Sequence, residues 1–107
     1  MATGTITYFA GIAVVDGQVG AVGQVPVTRL GGEAFNTGSA TESGGVPAGC
    51  AMIEIVTDTN TNVSYDGTNE PPAATTAHTP VIAGLPRYLY REGGYWPSGM
   101  TLKLRNT

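Results

Sequence analysis

One histidine, one cysteine, eight acids and a handful of aromatic rings are the side chains from which any chemistry in this chain would come. Nucleophilic catalysis needs a serine or cysteine activated by a neighbouring base. The sole imidazole, His78, stands beside Thr79 and Pro80 in an extended segment, and no Gly-x-Ser-x-Gly elbow occurs. A partly exposed strand residue is the plainer reading of His78. With no base and nucleophile at a recognisable spacing, an enzyme is the least supported class. Residues 58–62, Asp-Thr-Asn-Thr-Asn, copy the first five positions of a calcium loop, where alternate oxygen-bearing side chains converge on the ion. Val63 then stands where that loop needs glycine and Asn69 where it needs a bidentate glutamate, so a polar turn between strands is expected instead. A zinc site within one chain has too few ligands. Phosphate loops need a helix after the glycines, and none is expected here. No catalytic, cofactor or metal residue is therefore expected.

The remaining candidates act by contact. Cys50 lies between Gly49 and Ala51, and as a lone cysteine it reads as a small buried hydrophobe, with an intermolecular disulfide as the alternative. Tyr88, Tyr90, Tyr95 and Trp96 offer stacking surface for a sugar ring, a base or a protein neighbour, and packing is the commonest use of such rings. The net charge of −3 and a pI near 4.8 give little grip on nucleic acid or an anionic membrane. Four of the five basic residues follow position 86 and seven of the eight acids precede it. A solvated strand face explains that asymmetry, and pairing of unlike edges between copies is the sharper alternative.

Strands must position these groups. With 16 Gly, 7 Pro and 12% charged residues in 107, the composition disfavours helices and suits short strands between turns in one domain. Residues 100–105 alternate without a break, which puts Met100, Leu102 and Leu104 on a buried face and Thr101, Lys103 and Arg105 outside. Residues 53–57 and 63–65 read as strands joined by the 58–62 turn. Residues 85–91 read as the central strand, entered through Pro86, with Leu85, Arg87, Leu89 and Arg91 on one face and the two tyrosines on the other. The two prolines in 70–77 forbid a central strand there, and residues 78–82 resume extended structure. Residues 29–49 are the least regular part, with a short edge strand expected over 39–43 and Phe35 as one docking aromatic. Near the start, residues 5–9 and 12–15 are extended around Gly11, and Asp16-Gly17 signals a two-residue hairpin into residues 18–27. This Gly-rich, apolar segment has little to bury in its own domain. It is expected as an arm or hairpin over residues 1–30 that lies on a neighbouring molecule, with completion of the domain's own sheet as the alternative. Residues 31–107 are expected to form the sandwich domain.

The C-terminal half resembles small structural proteins of tailed-phage particles. The resemblance rests on a first strand like residues 51–57, then Asn62-Val63-Ser64-Tyr65-Asp66-Gly67, then a Pro-Ala-Thr-rich connection like residues 72–76. A Pro-Val-Ile-Ala-Gly-Leu-Pro step at residues 80–86, a strand, a glycine turn and a last strand like residues 101–105 complete it. It covers about half the chain and is one of pattern. The bulky loop Gly94-Tyr95-Trp96-Pro97 and the N-terminal forty residues depart from it. The resemblance implies an all-β fold, a small antiparallel β-sandwich or barrel, jelly-roll-like, without enzymatic activity. It further implies a capsid decoration (cement) protein made in the host cytoplasm and carried on the virion surface. Its partners would be the major capsid protein and itself, as a homo-oligomer with a trimer foremost; neither nucleic acid nor a membrane is expected as a partner. A neck, tail or fibre-anchoring role is the alternative, and a carbohydrate-binding module using Tyr95 and Trp96 a third reading. The expected interface residues are Tyr8, Phe9, Ile12, Val14, Val19 and Val22 on the arm, with Tyr95 and Trp96 on the loop. The N-terminus lacks the basic-then-apolar order of a signal peptide, so use without secretion is expected.

Overall fold

The computed structural model describes residues 3–10, 14–15, 18–19, 29–36, 41–91 and 94–106. Among the described residues there are ten strands and no helix: β1 (Thr3–Phe9), β2 (Val14–Val15), β3 (Gln18–Val19), β4 (Arg29–Asn36), β5 (Thr41–Glu42), β6 (Met52–Thr57), β7 (Thr61–Ser64), β8 (Thr79–Val81), β9 (Arg87–Tyr90) and β10 (Lys103–Asn106). They form two four-stranded antiparallel sheets, ordered β4-β1-β6-β9 and β5-β10-β7-β8. The small pair β2-β3 is held in register by Val14↔Val19 and Val15↔Gln18, which flank the Asp16-Gly17 step as a hairpin requires. This all-β architecture agrees with the Gly-, Thr- and Pro-rich composition.

The pairing is nested. β7 pairs with β8, β6 with β9 and β5 with β10, as if one long hairpin had been folded over into two layers. That winding is the jelly-roll pattern. β1 completes it by pairing with β4 on one side and β6 on the other, where a strand following β10 would lie in the full nest. β1 is thus a central strand of the first sheet, which corrects the expectation that it belongs to an arm over residues 1–30. Its sequence explains why. Ile6 and Tyr8 alternate with Thr5 and Thr7, so β1 has one apolar face to bury, and the sheet supplies the place.

One cluster fills the space between the sheets. Ile6 and Tyr8 of β1, Ile53 and Ile55 of β6 and Leu89 of β9 meet Val63 of β7, Val81 of β8 and Leu104 of β10, with Val46, Cys50, Met100 and Leu102 from the adjoining segments. Met100, Leu102 and Leu104 are each 1% exposed or less, as their alternation predicts. The ladder continues beyond β5 and β10: Ser43 N donates to Leu102 O (2.8 Å) and Val46 N to Met100 O (2.8 Å).

Several expectations change at the level of pairing. Residues 85–91 supply only the four-residue edge strand β9, whereas β1 and β6 are central in its sheet. β6 and β7 lie in different sheets, so the 58–60 turn is a crossover and not a hairpin. Residues 29–49, expected to be irregular, contain β4, the longest strand at eight residues, because Gly31, Glu33 and Phe35 can face inward while Leu30, Gly32 and Ala34 face out. β4 lies close on β1 through glycine. A Cβ built on Gly4 would meet Val56 O and Phe35 Cζ, each at 2.7 Å.

Gly4→Val is therefore expected to destabilise the fold by about 1–3 kcal/mol through overpacking. Leu104→Ala should cost about 2–5 kcal/mol through the cavity it leaves. Urea unfolding followed by Trp96 fluorescence measures both.

Candidate functional site

The residues expected to act by contact divide into two groups. Tyr8 and Phe9 are 3% and 4% exposed, so neither is free arm surface: Tyr8 belongs to the cluster between the sheets, and Phe9, paired with Met52, is buried outside that cluster. This corrects their expected role: β1 is paired on both sides within its sheet, and the Tyr8 side chain packs against the opposing layer. Val14 and Val19 form a cross-strand pair in the β2-β3 hairpin. Ile12 and Val22 lie outside the described residues. Tyr95 is 63% exposed and remains a surface ring.

Trp96 is tied inward. Its N–H donates to Cys50 O (2.7 Å), and its indole Nε1 donates to Leu89 O at 3.2 Å. Tyr65 packs edge-on against the ring at 5.5 Å and 87°, and the Arg91 guanidinium lies 6.0 Å from its centroid. The ring packs against the core cluster. The ring is thus anchored at its N–H and half-buried, with part of its surface already used inside the chain.

A polar tie crosses between the layers. The Glu33 carboxylate, on the inner face of β4, accepts from the Tyr8 hydroxyl (2.9 Å) and from Gly44 N (3.0 and 3.2 Å). Ser43 Oγ accepts from Leu102 N (2.8 Å) and donates to Gly44 O (3.0 Å). One carboxylate therefore holds β4, β1 and the segment after β5 together. Burial first, and the Glu33 carboxylate second, push the Tyr8 hydroxyl well above the ordinary tyrosine value of 10.0. Sequence reading missed this group, although an acid in the alternating run Gly31, Glu33, Phe35 was the available signal.

In the 58–62 segment the oxygens of Asp58 and Asn60 tie the turn to distant backbone. Asp58 accepts from Thr3 N (2.8 Å) and Thr3 Oγ1 (3.1 Å), and these bonds hold its carboxyl below the usual range. Asn60 Oδ1 accepts from Ala83 N (3.0 Å). Among the described residues no cluster of three or more metal-binding side chains forms. His78 likewise serves a turn: its Nδ1 accepts from Thr75 N at 2.9 Å, while His78 N donates to Thr75 O at 3.0 Å.

What remains is surface. On the outer face of the first sheet a largely apolar groove of about 440 Å³ runs past Thr5, Ala34 and Val56 to Gly84. The turn that carries Gly84 also carries Ile82 and Leu85, which are 50% and 60% exposed. Gly84 N donates to Thr57 O (2.9 Å) and so fixes this turn against the end of β6. Neither the groove nor the turn was foreseen as a contact site, although Ile82 and Leu85 beside Gly84 and Pro86 were visible as apolar residues in a turn. Comparison with protein-family models, curated proteins and solved structures finds no match for this chain.

Two outcomes are expected. Cys50 is fully buried, its Sγ donates to Met52 O (3.3 Å) and burial raises its thiol above the ordinary value. A thiol reagent at pH 8 should therefore leave the folded protein unmodified and react stoichiometrically in urea. For Tyr8, the folded state holds the phenolic proton more tightly than the unfolded chain. Its contribution to stability is full below pH 10 and is lost as pH climbs beyond it. Tyr8→Phe should cost about 1 kcal/mol at neutral pH, and its deficit against wild type should shrink above pH 10. Denaturation at pH 7 to 11 checks this.

Proposed function

We propose that this chain is a structural protein of a tailed-phage particle, a decoration (cement) protein that binds the outside of the head as a homo-oligomer and holds neighbouring capsomers together. The observation that carries the reading is the apolar groove on the first sheet with Ile82 and Leu85 exposed beside it. Exposed apolar side chains beside a largely apolar groove favour a protein partner, since leaving them in water costs free energy. The resemblance of residues 51–105 to small virion proteins supplies the kind of partner. The mechanism is burial without chemistry: each site contributes a modest contact, and many sites on one lattice act together.

The neck, tail or fibre-anchoring role uses the same surface and differs in copy number. A carbohydrate module built on Trp96 is the weaker reading, because Leu89 O, Tyr65 and Arg91 already engage that indole.

Heads assembled without this chain, mixed with the purified protein and then sedimented, test the proposal. Wild type is expected to saturate them in numbers that follow the capsid lattice. Leu85→Asp and Ile82→Asp should each bind about tenfold more weakly or worse, with unchanged thermal unfolding. Binding in the few copies of a neck ring would move the assignment to the neck. Folded variants that bind like wild type would remove the groove from the mechanism.

A further inference from the structure

The outer face of the second sheet is covered, although its side chains are polar. Asn62 and Ser64 of β7 stand opposite Arg105 and Lys103 of β10, all on the side away from the core. Residues 68–78 return across this face as a strap. Thr101 N donates to Thr68 O (3.1 Å), Asn62 Nδ2 donates to His78 O (3.1 Å), and Ala74 is 3% exposed. Of residues 70–77 only Pro71 and Ala74 are buried, so the strap brings few apolar contacts. On the covered face Asn62 Oδ1, Ser64 Oγ and Thr101 Oγ1 are shut off from solvent with no hydrogen-bond partner in the chain. Such oxygens regain water only when the strap lifts, so their desolvation works against closure. The closed strap is held by few contacts and opposed by the face it covers.

One imidazole fastens its end. His78 Nδ1 accepts from Thr75 N (2.9 Å), and His78 N donates to Thr75 O (3.0 Å), a closed turn that sets the His78 carbonyl on Asn62. A backbone N–H can only donate, so in this turn Nδ1 is bare and the neutral ring carries its proton on Nε2. A second proton would set two donors against each other. A new bond to Thr75 Oγ1, which stands 3.2 Å from Nδ1, would still leave Thr75 N without its acceptor. The flanking strands β7 and β8 and residues 74–77 carry no titratable side chain, and the charged groups next on this face, Lys103 and Arg105, are cations that do not favour an imidazolium. We propose that His78 is an acid-sensitive clasp, whose protonation releases the 68–78 strap from the outer face of the second sheet. The sign follows from proton counting: the closed turn binds one proton fewer than the open one, so closure strengthens as pH rises and weakens as it falls. The device lies on the sheet opposite the apolar groove and does not rest on the capsid reading.

NMR of the ¹⁵N-labelled full chain, titrated between about pH 8 and 5, tests the clasp. At the upper end the ring nitrogens of His78 are expected to show a bare Nδ1. On acidification the Thr101 amide, remote from His78 in sequence and bonded to the far end of the strap, should shift with the midpoint of the imidazole. Its protection from solvent exchange, corrected for the intrinsic pH dependence, should fall about fivefold or more. His78→Asn, whose side-chain oxygen accepts from Thr75 N at every pH, should keep that amide protected throughout. A proton on Nδ1 at the upper end, unchanged Thr101 protection in the wild type, or an equal loss in His78→Asn would each overturn the proposal. If the variant does not fold, the wild-type titration decides alone.

Discussion

Ile6, Ile53 and Ile55 of one sheet share a single cluster with Val63, Leu102 and Leu104 of the other, and the remainder of the structure follows from bringing these two faces together. Neither sheet is stable alone with such a face in water. The contact requires the chain to change layers five times after β4, between β4 and β5, β5 and β6, β6 and β7, β8 and β9, and β9 and β10. Turns must then be short and specific. Gly49, Gly84 and Gly99 adopt positive φ within these crossings, a conformation that suits glycine. Because nested strands meet only after the middle of the chain has turned, nearly every ladder joins distant residues, which is the topology of slow folding.

Polar groups settle where this apolar contact leaves room. Glu33 sits at the margin of the cluster, where one carboxylate can accept from Tyr8 and from Gly44 and so join the layers at the β4 edge. A half-buried acid with three donor contacts is tolerable; a bare one would not be. On the far side, the 68–78 connection covers Asn62, Ser64 and Thr101 and leaves three oxygens without partners in the chain. The groove on the first sheet and this enclosed polar face differ from the core for the same reason: both lie on the outer side of their sheets, where the apolar contact between the layers makes no demand.

The sequence by itself determined the strand class and much of the strand placement. Composition disfavoured helices, the alternation of residues 100–105 marked Met100, Leu102 and Leu104 as buried although Thr101, expected outside, is covered as well, Asp16-Gly17 marked the β2-β3 hairpin, and the prolines of residues 70–77 marked a connection. The smallness of Cys50 marked a core position. These signals are local, since a period of two or a turn residue acts over a few positions. Which strand lies beside which was decided only in three dimensions. β1 looked like an arm because a run of residues around Ile6 and Tyr8 does not say whether its apolar face is met by its own chain or another. Residues 85–91 looked central because their apolar and aromatic content is high, yet pairing on one side only leaves β9 at the edge. Trp96, the Glu33 tie and the enclosed oxygen of Asn62 depend on partners dozens of positions away or on a segment laid over a sheet. Burial of a face rewards any strand of matching period, and only the assembled layers select one.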